Sequence, residues 1–311
     1  MKKKGSLVVF SVILILLFLT ACQRQPSPEA EDGSRNVYYG TEGLDMEFEN
    51  DLPPSKIYDE SSLNILLNLR NKGTHDLSGA NCRLYLSGYD QNIIRGIDRD
   101  KECGQLEPKS TFNPEGGYAT QEFNSDIVSL PDYMDSIDQT FLLTSCYEYE
   151  TAASPVVCID PRLYEITPTE RVCDVRDVSL GGGQGAPVAV TNVGVTMAGK
   201  NRVAFKIKVS NVGGGTPFYY GQSIFNCPTN LLPEDYNIIA YDVDMSGASR
   251  IKCSPTMGGG QQVKLNNGQG TIYCTFNIAG DSAYTTPLRI TLYYNYMDSI
   301  SEDVEIIKTP E

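Results

Sequence analysis

The sequence predicts an all-β protein with two tandem β-sandwich domains behind an N-terminal hydrophobic signal or anchor segment. Three observations lead to this fold class. Apolar and polar residues alternate along many short segments, which is the period of a half-buried strand. Turn signals recur about every 8–12 residues, as they do in sandwiches. The two halves of the chain also repeat each other in sequence.

The strand pattern is clearest in two segments, "LNILLNLRNKG" (63–73) and "VAFKIKVSNVG" (203–213). In both, every second residue is apolar, so one face of each strand is expected to be buried. Both segments end in Asn-x-Gly, a combination that is typical of the turn after a strand. We therefore expect the two segments to occupy equivalent places in the two halves.

Two further segments extend the repeat. "FNPEGGYATQEF" (112–123) aligns without gaps to "LNNGQGTIYCTF" (265–276), and "YEYETAASPVVCI" (147–159) aligns without gaps to "YNYMDSISEDVEI" (294–306). Together with the first pair, these matches keep the same order along the chain at separations of about 140–150 residues. Three collinear matches indicate an internal duplication, with about seven short strands in each copy.

The predicted organisation has four parts. Residues 1–22 are a signal peptide or membrane anchor, and residues 23–36 are a disordered tether rich in Pro, Glu, Ser and Gln. Residues 37–161 form the first sandwich domain, and residues 170–308 form the second.

The strand that ends in Asn-x-Gly, the Tyr-x-Tyr strand and the final hairpin of each half resemble immunoglobulin-like domains of cell-surface proteins. They are most similar to the cell-adhesion-related type found in bacterial and archaeal envelope proteins. The resemblance covers most of the chain after the tether. The chain has no tryptophan, so the Cys–Trp–Cys core of immunoglobulin domains is absent. The resemblance therefore implies a related sandwich and a role in binding or adhesion.

The N-terminus predicts export. Three lysines precede an apolar run over residues 7–21, and basic residues of this kind favour staying in the cytoplasm while the rest is translocated. The sequence "LTAC" (19–22) resembles the lipobox of bacterial lipoproteins, which implies cleavage before Cys22 and lipidation of that cysteine.

Three alternatives remain for this N-terminus. The apolar run is near the lower length limit for a bilayer span, so it could be an uncleaved anchor. "KKKGS" (2–6) resembles the short basic leader of archaeal type IV pilins, although Phe10 stands where such pilins carry an acidic residue. A signal that is cleaved and lost would leave a secreted protein. All the alternatives place the body of the chain outside the cytoplasm.

The composition narrows the function classes. The chain has 39 acidic and 25 basic residues and a formal net charge of -14, which argues against binding to nucleic acid or to anionic membrane surfaces. His75 is the single histidine, and histidine is the usual proton shuttle near neutral pH. We expect His75 to be exposed, the protein to be non-catalytic, and no cofactor to be bound.

The cysteines predict disulfides. Besides Cys22 there are eight, an even number without a C-x-x-C pair, which indicates disulfides rather than zinc and an oxidising compartment. Their order in the two halves suggests four pairings, which are Cys82–Cys103, Cys146–Cys158, Cys227–Cys253 and Cys173–Cys274.

Two glycine runs, "LGGGQGAPV" (180–188) and "MGGGQQVKL" (257–265), look at first like phosphate-binding loops. Each is followed by residues of strand period, whereas a phosphate loop leads into a helix. The lysine and Ser/Thr of a P-loop are missing as well. The runs are therefore expected to be flexible approaches to strands, with partner contact by an exposed loop as the alternative.

The segment "DVDMSG" (242–247) fits the first half of an EF-hand calcium loop, with Asp242, Asp244 and Ser246 as candidate ligands. The twelfth position of such a loop should be a bidentate glutamate, but it is Cys253. The sequence favours a solvated acidic turn, with an irregular calcium site as the alternative; no other metal site is predicted.

Tyrosines supply the best candidates for binding. The chain has 19 of them, and "FYYGQ" (218–222) places Tyr219 and Tyr220 directly after a glycine run. Exposed tyrosines offer rigid contact area that suits proteins or sugars, although alternate tyrosines also fill sandwich cores. Tyr219 and Tyr220 are therefore candidate binding residues.

These features together predict a membrane-anchored, non-catalytic binding, adhesion or surface-assembly protein on the extracytoplasmic face of the cell envelope. The expected contacts are the membrane, through the N-terminus, and another envelope protein or a surface glycan. A pilin-like filament subunit is one alternative, and an accessory lipoprotein of an envelope enzyme or transporter is the other.

Overall fold

The regular secondary structure of the described residues is almost all β-strand, which confirms the all-β prediction. A computed structural model describes residues 37–165, 171–181 and 183–310. The predicted signal or anchor segment, its Cys22 and the tether lie outside the described residues.

The strands are numbered in chain order. They are β1 (Leu44–Phe48), β2 (Lys56–Tyr58), β3 (Asn64–Asn71), β4 (Cys82–Ser87), β5 (Ile94–Arg95), β6 (Asp100–Glu102), β7 (Tyr118–Asn124), β8 (Ile127–Val128), β9 (Ser136–Ala153), β10 (Val156–Ile159), β11 (Val178–Ser179), β12 (Val188–Met197), β13 (Arg202–Asn211), β14 (Thr216–Phe218), β15 (Ile238–Met245), β16 (Ser249–Ser254), β17 (Thr256–Met257), β18 (Gly260–Lys264), β19 (Gln269–Asn277) and β20 (Tyr284–Ile307). One short 3₁₀ turn covers Ile224–Asn226. Within the described ranges, no helix has the length and apolar character needed to cross a bilayer.

Alternating burial explains the strands that the sequence predicted best. In β3, Ile65, Leu67 and Leu69 are fully buried, and the residues between them are partly exposed. The same alternation runs along β13, where Val203 and Phe205 face the core. Burying one face of each strand supplies much of the stability of a sandwich layer.

The centre of the fold is an antiparallel pair of two long strands, β9 with 18 residues and β20 with 24. Their register places Glu148 opposite Asn295, and these are the two residues that the repeat alignment makes equivalent. Equivalent residues that face each other in an antiparallel pair define a local two-fold axis, so the duplicated halves are related by approximate two-fold symmetry. The expectation of short strands throughout was wrong here, because each long strand serves both halves.

The strands form a ten-stranded sheet with two smaller sheets over one of its faces. The path of the large sheet is β17-β18-β15-β20-β9-β4-β6, and β2, β10 and β14 also pair with β20. The smaller sheets are β1-β3-β7 from the first half and β11-β12-β13-β19-β16 from the second, while β5 and β8 pair separately. One hydrophobic cluster contains residues of both halves, so the halves share a core. The boundaries at residues 161 and 170 stay a prediction.

Four buried tyrosines of the central pair hold neighbouring segments in place through hydrogen bonds of their hydroxyl groups. Each places its ring in the core and its hydroxyl against the main chain or a side chain of an overlying segment. The contacts are Leu44 N to Tyr147 Oη at 3.3 Å, Tyr149 Oη to the Gly185 carbonyl at 2.6 Å, Val188 N to Tyr294 Oη at 3.2 Å, and Tyr296 Oη to Asn211 Oδ1 at 3.0 Å. Burial raises the pKa of Tyr149 to about 12, so its hydroxyl stays a neutral donor.

All eight cysteines of the body form disulfides, as predicted, but three of the four predicted pairings were wrong. The bonds are Cys82–Cys103, as expected, and Cys146–Cys227, Cys158–Cys173 and Cys253–Cys274.

The predicted bond between Cys146 and Cys158 fails because β10 does not pair with β9. Instead β10 continues beside β20, with Cys158 opposite Thr285. Cys158 therefore reaches Cys173 on the segment that follows. Cys253 and Cys274 face each other across β16 and β19, which leaves Cys227 for Cys146.

The first glycine run is exposed only in part: Gly181 is exposed, Gly182 lies outside the described residues, and the end of the run is packed into the fold. Gln184, Gly185 and Ala186 are buried, and the side chain of Gln184 bonds the main chain of Val190 through both its oxygen and its nitrogen. Gly185 has a φ of 66°, a left-handed conformation that glycine adopts readily. The second run instead forms the tip of the β17–β18 hairpin.

Candidate binding site

A loop of residues 219–235, between β14 and β15, crosses the outer face of the ten-stranded sheet. We call it the strap. Its base is closed where Tyr219 N donates to the Asp235 carbonyl at 2.9 Å. The outer face is the side opposite the buried tyrosines, so the strap lies over a surface that the smaller sheets leave uncovered.

The strap is attached to three neighbouring strands. On β20, the buried amide of Asn295 donates to the carbonyls of Tyr219 at 3.3 Å and of Gln222 at 2.7 Å. On β9, Cys146 forms the disulfide with Cys227 of the strap. On β4, the hydroxyl of Tyr85 donates to a strap carbonyl, that of Ile224, at 3.0 Å.

A small hydrophobic cluster seals the space beneath the strap. It contains Cys146, Phe218, Ile224 and Cys227, all nearly or fully buried, with Met297 packed against them. With the hydrogen bonds and the disulfide, this packing fixes the conformation of the strap.

A groove with a volume of about 270 Å³ opens beside the strap. Its lining includes Tyr220 of the strap and His75, which lies on the segment between β3 and β4. The floor comes from the central strands, and its outward side chains are Glu148, Glu150, Tyr293 and Asn295. We call this feature the tyrosine groove.

The structure brings the sequence-predicted tyrosines together with a third one. Tyr220 is 49% exposed and Tyr293 is 37% exposed, with their ring centroids 6.2 Å apart. Tyr219 packs edge-to-face on Tyr220 with a centroid distance of 5.3 Å. Three rings therefore form a continuous aromatic surface, and Tyr220 and Tyr293 line the groove.

The floor of the groove carries unpaired acceptors. Glu150 lies opposite Tyr293 in the β9–β20 ladder, and Glu148 lies opposite Asn295. Among the described residues, neither glutamate forms an ion pair. The Oδ1 atom of Asn295 is buried and has no hydrogen-bond partner within the same ranges. Buried polar atoms are nearly always hydrogen-bonded, so an unpartnered acceptor on a residue that lines a groove is a candidate contact for a ligand donor.

His75 is half-buried rather than exposed, which corrects the sequence-based expectation. Its ring lies 5.3 Å from the ring of Tyr149, centroid to centroid. Burial lowers the pKa of His75 below 6.5, although Glu150, Asp76 and Glu148 oppose that shift. The imidazole is therefore neutral at neutral pH and adds no positive charge to the groove.

The calcium candidates lie elsewhere. Asp242 and Asp244 belong to strand β15, and Ser246 is in the turn between β15 and β16, which lie in different sheets. Asp242 forms an ion pair with Arg250. In the part of the chain that the structure describes, no cluster of three His, Cys, Asp or Glu residues is arranged to hold a metal. The calcium site stays a prediction that no contact supports.

Comparisons with known proteins identify no family. Neither a protein-family model nor a curated protein matches the sequence. Solved structures with some similarity include the secreted serine protease VesC from Vibrio cholerae, at 10% identity and a TM-score of 0.20, covering 84% of this chain and 51% of that one. The chain thus spans about half the length of VesC.

Two other solved structures also have some similarity to the chain. One is "BspA_C_WT", at 8% identity and a TM-score of 0.17, covering 85% of this chain and 99% of that one. The other is the B domain of a biofilm associated protein, at 7% identity and a TM-score of 0.14, covering 88% and 85%. With TM-scores this low, none of the three similarities contributes to the functional argument.

Proposed function

We propose that this chain is a non-catalytic, extracytoplasmic binding protein, anchored to the membrane through Cys22, which holds another envelope component at the tyrosine groove. One observation carries the proposal. A disulfide-fastened strap presents an exposed tyrosine beside a second exposed tyrosine, over a floor of unpaired acceptors.

The fixed conformation of the strap supports a binding role. Ordering a loop when a ligand binds costs free energy, and a loop that is already ordered avoids this cost. The two groove tyrosines offer large apolar area with a polar tip and few rotatable bonds, which is the character of binding hot spots. A loop that only connects two strands does not need attachments to three neighbouring strands, so these attachments favour a role in presenting the loop surface.

The disulfides support the compartment. Four disulfides indicate an exported protein, because thiols in the cytosol are kept reduced. The net charge of -14 disfavours nucleic acid as a partner. An envelope protein or a surface glycan remains as the partner class.

The test of the groove uses full-length protein in lipid nanodiscs and the envelope fraction of the source cells. Tyr220→Ala and Tyr293→Ala should each reduce capture of the partner about tenfold or more, as truncation of an aromatic hot spot does. Tyr273→Ala is the matched control, because Tyr273 is 51% exposed but lies on β19, away from the groove. Unchanged capture by both groove variants would refute the proposed binding site.

The anchor is tested separately. Metabolic labelling with a fatty-acid analogue should tag the wild-type protein but not Cys22→Ser, and the variant should leave the membrane fraction. Lipid on the variant would contradict the lipobox interpretation and leave the groove proposal intact.

A further inference from the structure

We infer that the tyrosine groove binds an organic cation, the guanidinium or ammonium group of an arginine or lysine side chain on a protein partner. This inference rests on the proposed function, because it names the chemistry recognised at that same groove.

The charge of the groove gives the first argument. Glu148 and Glu150 lie two residues apart on the same face of β9, and both lack a cationic partner among the described residues. The nearest candidate for an internal cation, His75, is neutral at neutral pH because burial lowers its pKa. Two carboxylates beside low-dielectric aromatic walls attract a cation more strongly than they would in open water, and they repel anions.

Hydrogen-bonding capacity gives the second argument. The amide nitrogen of Asn295 already donates to two strap carbonyls, so this residue offers the groove only its unpartnered Oδ1. With the two glutamates, the floor is rich in acceptors, and its charged groups are all acceptors. Guanidinium and ammonium groups are donors without acceptors, so they match this floor.

The aromatic walls give the third argument. The rings of Tyr220 and Tyr293 are inclined at 42° with centroids 6.2 Å apart, and both residues line the groove. The faces of tyrosine rings attract cations, and the attraction is larger where water is excluded. A volume of about 270 Å³ lies just below the roughly 300–1,000 Å³ of drug-sized pockets, so a single side chain is a suitable occupant.

The surface of the strap favours a protein over a glycan as the source of the cation. In addition to Tyr220, the strap exposes Phe225, which is 60% exposed, and Leu232, which is 55% exposed. A loop that exposes an aliphatic side chain as well as aromatic ones is typical of protein interfaces, whereas sugars gain little from leucine.

The experiment uses full-length protein in nanodiscs and four probes of defined structure. The peptide acetyl-Gly-Arg-Gly-amide is compared with its citrulline counterpart, which keeps the shape and loses the charge. Glucosamine is compared with N-acetylglucosamine to represent a glycan. Binding is measured by calorimetry at low and physiological salt.

The arginine peptide should bind at least tenfold more tightly than the citrulline peptide, and the affinity should fall as salt rises. The double variant Glu148→Gln/Glu150→Gln should lose at least tenfold in affinity for the arginine peptide. Glu302→Gln is the matched control, since it removes one exposed carboxylate of β20 outside the groove.

The outcomes distinguish failure of the cation inference from failure of the proposed function. Equal binding of arginine and citrulline peptides, or full binding by the double glutamine variant, overturns the cation inference. If the tyrosine variants still lose partner capture in that case, the proposed function stands. Binding of glucosamine in place of the arginine peptide overturns the choice of a protein partner. Undiminished partner capture by the tyrosine variants overturns the proposed function itself.

Discussion

Removal of the strap disulfide tests both the stability and the function that we assign to it. The bond between Cys146 and Cys227 closes a loop of 81 residues, and the bond between Cys253 and Cys274 closes one of 21 residues. In the chain-entropy treatment the longer loop contributes about 4.5 kcal/mol and the shorter one about 3.3 kcal/mol to the free energy of unfolding. We therefore expect Cys146→Ala/Cys227→Ala to cost about 1.2 kcal/mol more than Cys253→Ala/Cys274→Ala.

The two double variants form a matched pair. Each removes two buried sulfur atoms, so the losses of packing are of the same kind and the difference reports loop length. Function should separate them further. The first variant frees the strap from β9 and should lose partner capture, whereas the second leaves the strap attached and should keep it.

The stability assay is urea unfolding at equilibrium, followed by far-ultraviolet circular dichroism under non-reducing conditions. Partner capture is measured in the same protein preparations, below the unfolding transition. A strap variant that is no less stable than its control would contradict the loop-length argument. A folded strap variant that captures its partner as well as the wild type would contradict the role of the strap in presenting Tyr220.

Two further predictions concern the segment that contains His75. Because burial lowers the pKa of His75, the unfolded chain takes up a proton near pH 6.5 more readily than the folded one, so the free energy of unfolding should fall as the pH drops through 6.5. His75→Gln should flatten this part of the pH profile in urea titrations, and an unchanged slope would show that another group is responsible. Tyr149→Phe should lower the free energy of unfolding by about 0.5–1.5 kcal/mol, since it removes the buried hydrogen bond from Tyr149 Oη to the Gly185 carbonyl, which still accepts from Thr74 N at 3.0 Å. Tyr273→Phe, at an exposed position, should change it by less than about 0.5 kcal/mol, and equal effects of the two changes would refute the argument.

Local patterns were enough to predict the strands but not their lengths. The alternation in β3 and β13 is set by one buried face, so it can be read from a few residues. In β20 the pattern changes along the strand, because Leu288 to Tyr296 meet the core while Ser299 to Asp303 face solvent or the edge of the core. The sequence pattern of such a strand predicts two short strands, whereas pairing with β9 along residues 290–307 makes it one continuous strand.

The wrong disulfide pairings have a related cause. Side chains alternate across a strand, so Cys146 must point away from the face that buries Tyr147. That much follows from the sequence. Nothing in the sequence indicates that a loop about 80 residues later crosses the outer face, because loop paths depend on which strands become neighbours.

The candidate site was predictable in the same partial way. Composition and exposure arguments identified Tyr219 and Tyr220, which lie together on the strap. Glu148, Asn295 and His75 were missed because their significance depends on cross-strand register and on contacts between distant segments. The available signal was the alternation within each Tyr-x-Tyr strand, which turns the residue between two core tyrosines outward.

The duplication also shows how the surface of the tyrosine groove differs from its counterpart across the two-fold axis. Across the two-fold axis, the alignment matches Tyr293 to Cys146 and Glu150 to Met297. Cys146 and Met297 lie in the sealed cluster beneath the strap, whereas Tyr293 and Glu150 line the open groove. The two equivalent surfaces therefore differ in their side chains and contacts. Apolar residues and a disulfide at one copy hold the strap in place, and polar and aromatic residues at the other form the groove that the strap completes.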